Sequence, residues 1–196
     1  MIPAVGYRLW RVDRADGWTG THLQSLVAET LWPPRDRLVA ACSAWLAHRR
    51  GRPVGRSAPP HVSPAPECSC GAHAFHDLRQ MLRQADELES PDTDRFVFGG
   101  AVLCWGRVVI HPEGIRAQYA RPLALCRPRD REVSLVVQRN LREVADAYAV
   151  PLIEADHLVA YAHEFGTSYR PEPQRVRLLG RAREALSWLR WPRRRP

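Results

Sequence analysis

The stretch Phe96-Val-Phe-Gly-Gly-Ala-Val-Leu-Cys-Trp-Gly-Arg-Val-Val-Ile-His111 decides the fold class. Branched and aromatic residues fill it, and no proline interrupts it. Pro112-Glu113-Gly114 then supplies turn chemistry, and Ile115 to Ala120 runs back, so the region reads as one or two strands closing a hairpin. Gly99, Gly100 and Gly106 suggest bulges or close backbone approach, as a sharply curved sheet requires.

Upstream, Gly6 to Val12 is a further strand pattern, and Asp13 to Gly17 a turn. Thr21 to Thr30 suits a strand or a short helix, and Trp32-Pro33-Pro34 breaks it. Helical spacing is read over Asp36 to Arg50, with Leu38, Cys42, Trp45 and Leu46 on one face and Gly51 as the stop. The same period runs through Ala74 to Glu89, Glu132 to Tyr148 and Glu154 to Phe165. Gly51 to Glu67 holds five prolines and few apolar residues, so it reads as an irregular loop. The expected class is α+β, a small curved antiparallel sheet packed with several helices. One domain is expected over residues 1–170, with a basic, helical tail over 171–196.

The charge supports that division. Of 196 residues, 29 are basic and 21 acidic, and every basic residue is arginine. Residues 171–196 carry a net +6 and the other 170 only +2, so the basic character belongs mainly to the tail. The composition excludes collagen, mucin, long coiled-coil and disulfide-scaffold classes. No run of 18 apolar residues is present, and Met1 to Trp10 does not read as a leader, being short and interrupted by Pro3 and Gly6. A cytoplasmic protein with reduced thiols is therefore expected. The odd set of Cys42, Cys68, Cys70, Cys104 and Cys126 agrees with this.

Cys68-Ser-Cys70-Gly71-Ala72-His73-Ala-Phe-His76 is the densest chemical feature. Thiolate and imidazole are the ligands zinc prefers, and Gly71 lets the backbone turn tightly. With Cys42 upstream and His61 in the proline-rich loop, Cys42, His61, Cys68 and Cys70 make a Cys3His set for one zinc ion. Coordination would hold down a loop too poor in apolar residues to hold itself. The competing reading makes Cys42 a buried hydrophobe, His61 a solvated loop residue, and Cys68 and Cys70 packing or helix-terminal thiols. His73 and His76, three apart on the expected helix, are alternative ligands or partners activating Cys68 or Cys70 as a catalytic thiol. His111, Glu113, Arg116 and Tyr119 cluster by register at the hairpin tip and suit an anionic or peptide ligand, or merely a solvated hairpin.

These residues resemble an uncharacterised family of actinobacterial proteins. The resemblance rests on Tyr7-Arg-Leu-Trp-Arg-Val12, Trp32-Pro-Pro34, Cys42, His61 to Pro64 and Cys68-Ser-Cys-Gly-Ala-His-Ala74. Gly100 to Pro122 carries its most specific pattern, Trp-Gly-x-Val-x-x-His-x-x-Gly-x-Arg-Ala-x-Tyr-Ala-x-Pro. Ala72 replaces the usual isoleucine, Cys104 is a further departure, and the Arg/Pro-rich loop is longer. The similarity spans roughly positions 7 to 165, implies one domain through Phe165, and carries no activity with it.

Three functions compete. The first is a non-enzymatic, metal-stabilised module that binds a protein or a small ligand in regulation or assembly. The second is nucleic-acid association through the tail, with Trp188 and Trp191 stacking on bases and Arg193, Arg194 and Arg195 on phosphates. An acidic surface would suit the same tail. The third is a cysteine-dependent enzyme at Cys68 or Cys70. No nucleotide cofactor is indicated.

Overall fold

The computed structural model describes residues 2–12, 22–27, 30–42, 61–88, 96–127 and 135–169. The glycine-punctuated stretch forms strand β5 (Phe96–His111), which returns through a two-residue turn as β6 (Gly114–Arg127). Before this hairpin come β1 (Ala4–Val12), β2 (Gln24–Ser25), β3 (Leu38–Val39), β4 (Ala72–Phe75) and helix α1 (Leu78–Leu88). After it come α2 (Leu135–Tyr148), β7 (Leu152–Glu154), α3 (Ala155–His163) and β8 (Thr167–Ser168). The result is an α+β fold, with one mixed sheet and three helices among the described residues.

Pairing runs in a circuit. β5 lies between β1 and β6, β4 pairs with β6, and Tyr7↔Phe75 joins β4 back to β1. The outer edge of β6 is taken in turn by β4 at 114–117, β3 at 119–120 and β7 at 125–127. β8, β4 and β2 take the outer edge of β1 in the same way. Curvature enters at the bulge between Trp105 and Val108, where Gly106 adopts φ +78, a conformation glycine reaches without steric cost.

Because successive side chains alternate, β1 feeds two cores. Val5, Tyr7 and Leu9 meet Leu78 and Met81 of α1 and Leu158 and Ala162 of α3. Ala4, Trp10 and Val12 meet Trp32, Phe98, Leu125 and the α2 residues Val137, Leu141 and Val144. Burial of each large side chain stabilises by roughly 1.5–3 kcal/mol. Tyr148 ties the second core together: its hydroxyl donates to Trp32 O at 2.5 Å and accepts from Leu23 N at 2.8 Å. None of the described helices is long and apolar enough to cross a membrane.

Several sequence expectations are corrected. Residues 36–42 are not the start of a helix; Leu38–Val39 is a strand on β6, and Cys42 lies in irregular chain. The remainder of that expected helix, 43–50, lies outside the described residues, as does 51–60 of the proline-rich loop. The next helix begins at Leu78 rather than Ala74, because Ala72–Phe75 is claimed by β6 and Asp77 Oδ1 then accepts Arg79 N–H at 2.7 Å as a start signal. His73 therefore sits on a strand, not beside His76 on a helix face. The sheet is antiparallel as expected, except that the short β7 and β8 add to it in parallel. The tail, with Trp188, Trp191, Arg193, Arg194 and Arg195, lies outside the described residues.

Candidate metal centre

β3 and β4 lie on consecutive parts of the β6 edge, and this brings distant cysteines together. Cys42 follows β3 by three residues, while Cys68 and Cys70 precede β4. Ala40 N–H donates to Gln118 O at 2.8 Å, extending the attachment of the Cys42 segment to β6. Gly71 turns the chain from the thiols into β4 at φ +132, where any added Cβ would meet Arg116 Cβ at 2.9 Å. The loop itself is built on a cis Ser63–Pro64 peptide.

The ligand atoms of Cys42, His61, Cys68 and Cys70 all lie within 4.8 Å of one another. Cys42 Sγ and Cys68 Sγ are 3.8 Å apart, and His61 Nε2 is 3.2 Å from Cys70 Sγ. A disulfide would need about 2.05 Å between sulfurs, so the first contact is between free thiols. A tetrahedral zinc with sulfurs at ~2.3 Å and nitrogen at ~2.0 Å sets sulfur–sulfur edges near ~3.8 Å and sulfur–nitrogen edges near ~3.6 Å. The Cys42–Cys68 and His61–Cys70 spacings lie within a few tenths of an ångström of these edges, and the other pairs lie within 4.8 Å. Cys42 and Cys70 are buried, while His61 and Cys68 are half-buried.

Electrostatics distinguish the thiols. Burial pushes Cys68 up, with the Cys42 and Cys70 thiols adding to the effect and the Cys70 backbone opposing it. Burial also works against ionising Cys70, yet Ser63, His61, the Ala65 backbone and Cys68 together pull it down to about 7. Ser63 is buried, with no hydrogen-bond partner of ordinary geometry among the described residues, and its hydroxyl acts on the Cys70 sulfur. A cluster that favours one thiolate at neutral pH suits metal binding, which requires deprotonated sulfur.

Arg116 is the residue whose role sequence reading misassigned. It is not a ligand-facing cation of the hairpin tip but a buried clamp, 8% exposed. Its guanidinium donates to Cys68 O, to Ala65 O and Cys70 O at 3.3 Å each, and to Pro66 O at 3.5 Å. One side chain thus gathers the carbonyls of the thiol loop from beneath. Only its place opposite His73 in the β4–β6 register, a tertiary feature, sets this up.

Among the other expected tip residues, His111 lies near enough to feel the Arg116 charge, while Tyr119 packs elsewhere. Tyr119 lies beside Trp105, ring centroids 6.0 Å apart, and beneath Arg37. His111 is lowered by burial, by Arg116 and by His76, and its buried Nε2 has no partner among the described residues. Glu113 stays in the turn.

Comparison of the chain with family models, with curated protein sequences and with solved structures finds no match. Its chemistry therefore rests on its own residues. His73 and His76 are not paired with the thiols: His73 Nε2 lies 2.7 Å from Ser69 O, and His76 Nε2 lies 2.7 Å from His111 O. Burial and the nearby Arg8, Arg116 and His111 charges hold His73 below the usual imidazole range, against the Ser69 carbonyl. The imidazole at the thiols is His61. Cys104 is buried in the core, where burial pushes its thiol up to about 12, and Cys126 is half-buried. Neither belongs to the cluster.

Proposed function

We propose that the chain is a non-enzymatic binding module whose β3 and β4 edge is fastened by one zinc ion on Cys42, His61, Cys68 and Cys70. The observation that carries this is the convergence of four ligand atoms within 4.8 Å from segments 19 to 28 residues distant from Cys42. Four protein ligands fill a tetrahedral shell, which is the arrangement of structural rather than catalytic zinc. The ion supplies the cohesion that a loop with five prolines cannot draw from apolar burial. Thiolate ligands that must stay reduced suit a reducing compartment, and the cytoplasm is the proposed location.

The test is elemental analysis of protein purified without an affinity tag. The proposal expects about one zinc per chain, lost together with foldedness in Cys68→Ser and Cys70→Ser. Folded wild-type protein free of transition metal, and unaffected by chelators, would refute it.

A further inference from the structure

Away from the thiols, the β5–β6 ladder carries a second constellation. Leu103 pairs with Arg121 and Trp105 with Tyr119, so these four residues share one face of two neighbouring strands. Arg37, immediately before β3, lays its guanidinium over the Tyr119 ring at 4.8 Å from the centroid. Pro3 and the 35–37 turn complete a cleft of about 420 Å³ over Leu103, Trp105 and Arg121. That size falls within the usual range for small-molecule sites.

The charge of this cleft is unbalanced. Asp36 is the single acid in its lining, and its Oδ1 accepts Arg37 N–H at 2.6 Å. Arg35, in a left-handed conformation at φ 58, reaches the α2 C-terminus and donates to Ala147 O at 3.2 Å and Asp146 O at 3.3 Å. It thereby offsets the negative helix end that would otherwise repel an anion. Arg37 and Arg121 are exposed, and neither has a carboxylate partner among the described residues. Their N–H groups are free to donate, and a guanidinium fork matches phosphate oxygens.

We infer that this cleft binds a phosphate-bearing heteroaromatic compound of the nucleotide class, its ring against Trp105 and its phosphate between Arg37 and Arg121. A bare anion would leave the aromatic floor unused, and an apolar ligand would strip water from two guanidiniums without replacing it. A nucleotide satisfies both parts, since bases stack on aromatic faces and phosphate takes the forks. A free mononucleotide and the end of a single strand offer the same chemistry. The inference rests on the reading of the chain as a binding module, but none of the cleft residues is a metal ligand.

The experiment is titration calorimetry of the full-length, metal-loaded chain with adenosine monophosphate, adenosine, inorganic phosphate and a single-stranded hexanucleotide. The monophosphate should saturate one site, with adenosine and phosphate each weaker by about ten-fold or more. Arg37→Ala and Arg121→Ala should each weaken the monophosphate by about ten-fold while far-UV ellipticity is unchanged. A hexanucleotide that binds more tightly and loses affinity in the same variants identifies a strand end as the source; a weaker one identifies the free nucleotide. No saturable binding, phosphate binding as tight as the monophosphate, or affinity unchanged in both Arg37→Ala and Arg121→Ala overturns the inference. Metal content measured on the same samples shows separately whether the zinc centre has failed.

Discussion

Replacing Arg116 with methionine removes every donor that gathers the thiol loop while keeping most of the side-chain volume. The carbonyls of Ala65, Pro66, Cys68 and Cys70 then lose the guanidinium of a residue that is 8% exposed, Ala65 O keeping only the Cys68 N–H at 3.2 Å. A charge-assisted bond such as that to Cys68 O contributes ~1.5–3 kcal/mol, and the three longer contacts add less than that each. Removing a buried cation gives part of this back. The net loss should be ~2–4 kcal/mol, a large part of a typical folding stability of ~5–15 kcal/mol.

The loss falls on residues 65–70, the segment that presents Cys68 and Cys70, so metal must order what the guanidinium orders in the wild type. If ~2–3 kcal/mol of it is charged to metal binding, zinc affinity drops by ~30–150-fold. Urea unfolding with a chelator present measures the first quantity, and competition against a chromophoric chelator measures the second. Arg116→Lys should fall between, because a single ammonium cannot reach several carbonyls as the fork does. Unfolding midpoints and zinc affinity both unchanged in Arg116→Met would refute the clamp.

Three further outcomes follow from the same contacts. Gly71→Ala should destabilise by ~1–3 kcal/mol, since φ +132 is disfavoured for alanine and its Cβ would press on Arg116 and Pro64; thermal unfolding reads this. Tyr148 is pushed up to about 12, chiefly by burial and against the Leu23 N–H, which lowers it. The unfolded tyrosine releases its proton near pH 10 while the folded one retains it, so this contribution is present below pH 10. It falls by up to ~1.4 kcal/mol per pH unit between about 10 and 12. Urea unfolding at pH 9 and pH 11 should show that slope in wild type minus Tyr148→Phe, and an identical pH dependence in both would contradict it. Iodoacetamide followed by mass spectrometry should label Cys42, Cys68 and Cys70 only after chelation. Cys104, 1% exposed and with its thiol pushed up to about 12, should stay unlabelled until unfolding.

The hairpin was legible because its signals are local: a long branched and aromatic run, turn residues at 112–114, and glycines where the sheet bends. The cysteine–histidine cluster was legible from residue chemistry, since Cys68 and Cys70 lie close in sequence and a tetrahedral site would need two more donors. The route by which Cys42 arrives was not. Leu38 and Val39 form a two-residue strand, too short for any periodicity, and they pair with β6 across about 80 residues of chain. The same tertiary claim turned Ala72–Phe75 into strand where helical spacing ran through it. Arg116 read as an ordinary hairpin cation because its burial is created by loop carbonyls that only the fold places over it. The cleft draws on Pro3 ahead of β1, the 35–37 turn and both hairpin strands, so no single motif announces it.

X-ray absorption at the zinc edge on protein purified without an affinity tag tests the centre most directly. Three sulfur scatterers at ~2.3 Å and one nitrogen at ~2.0 Å are predicted, with one sulfur lost in Cys42→Ser, the ligand farthest from the others in sequence. A shell of nitrogen and oxygen alone, or one that Cys42→Ser leaves unchanged, would contradict the proposed zinc centre.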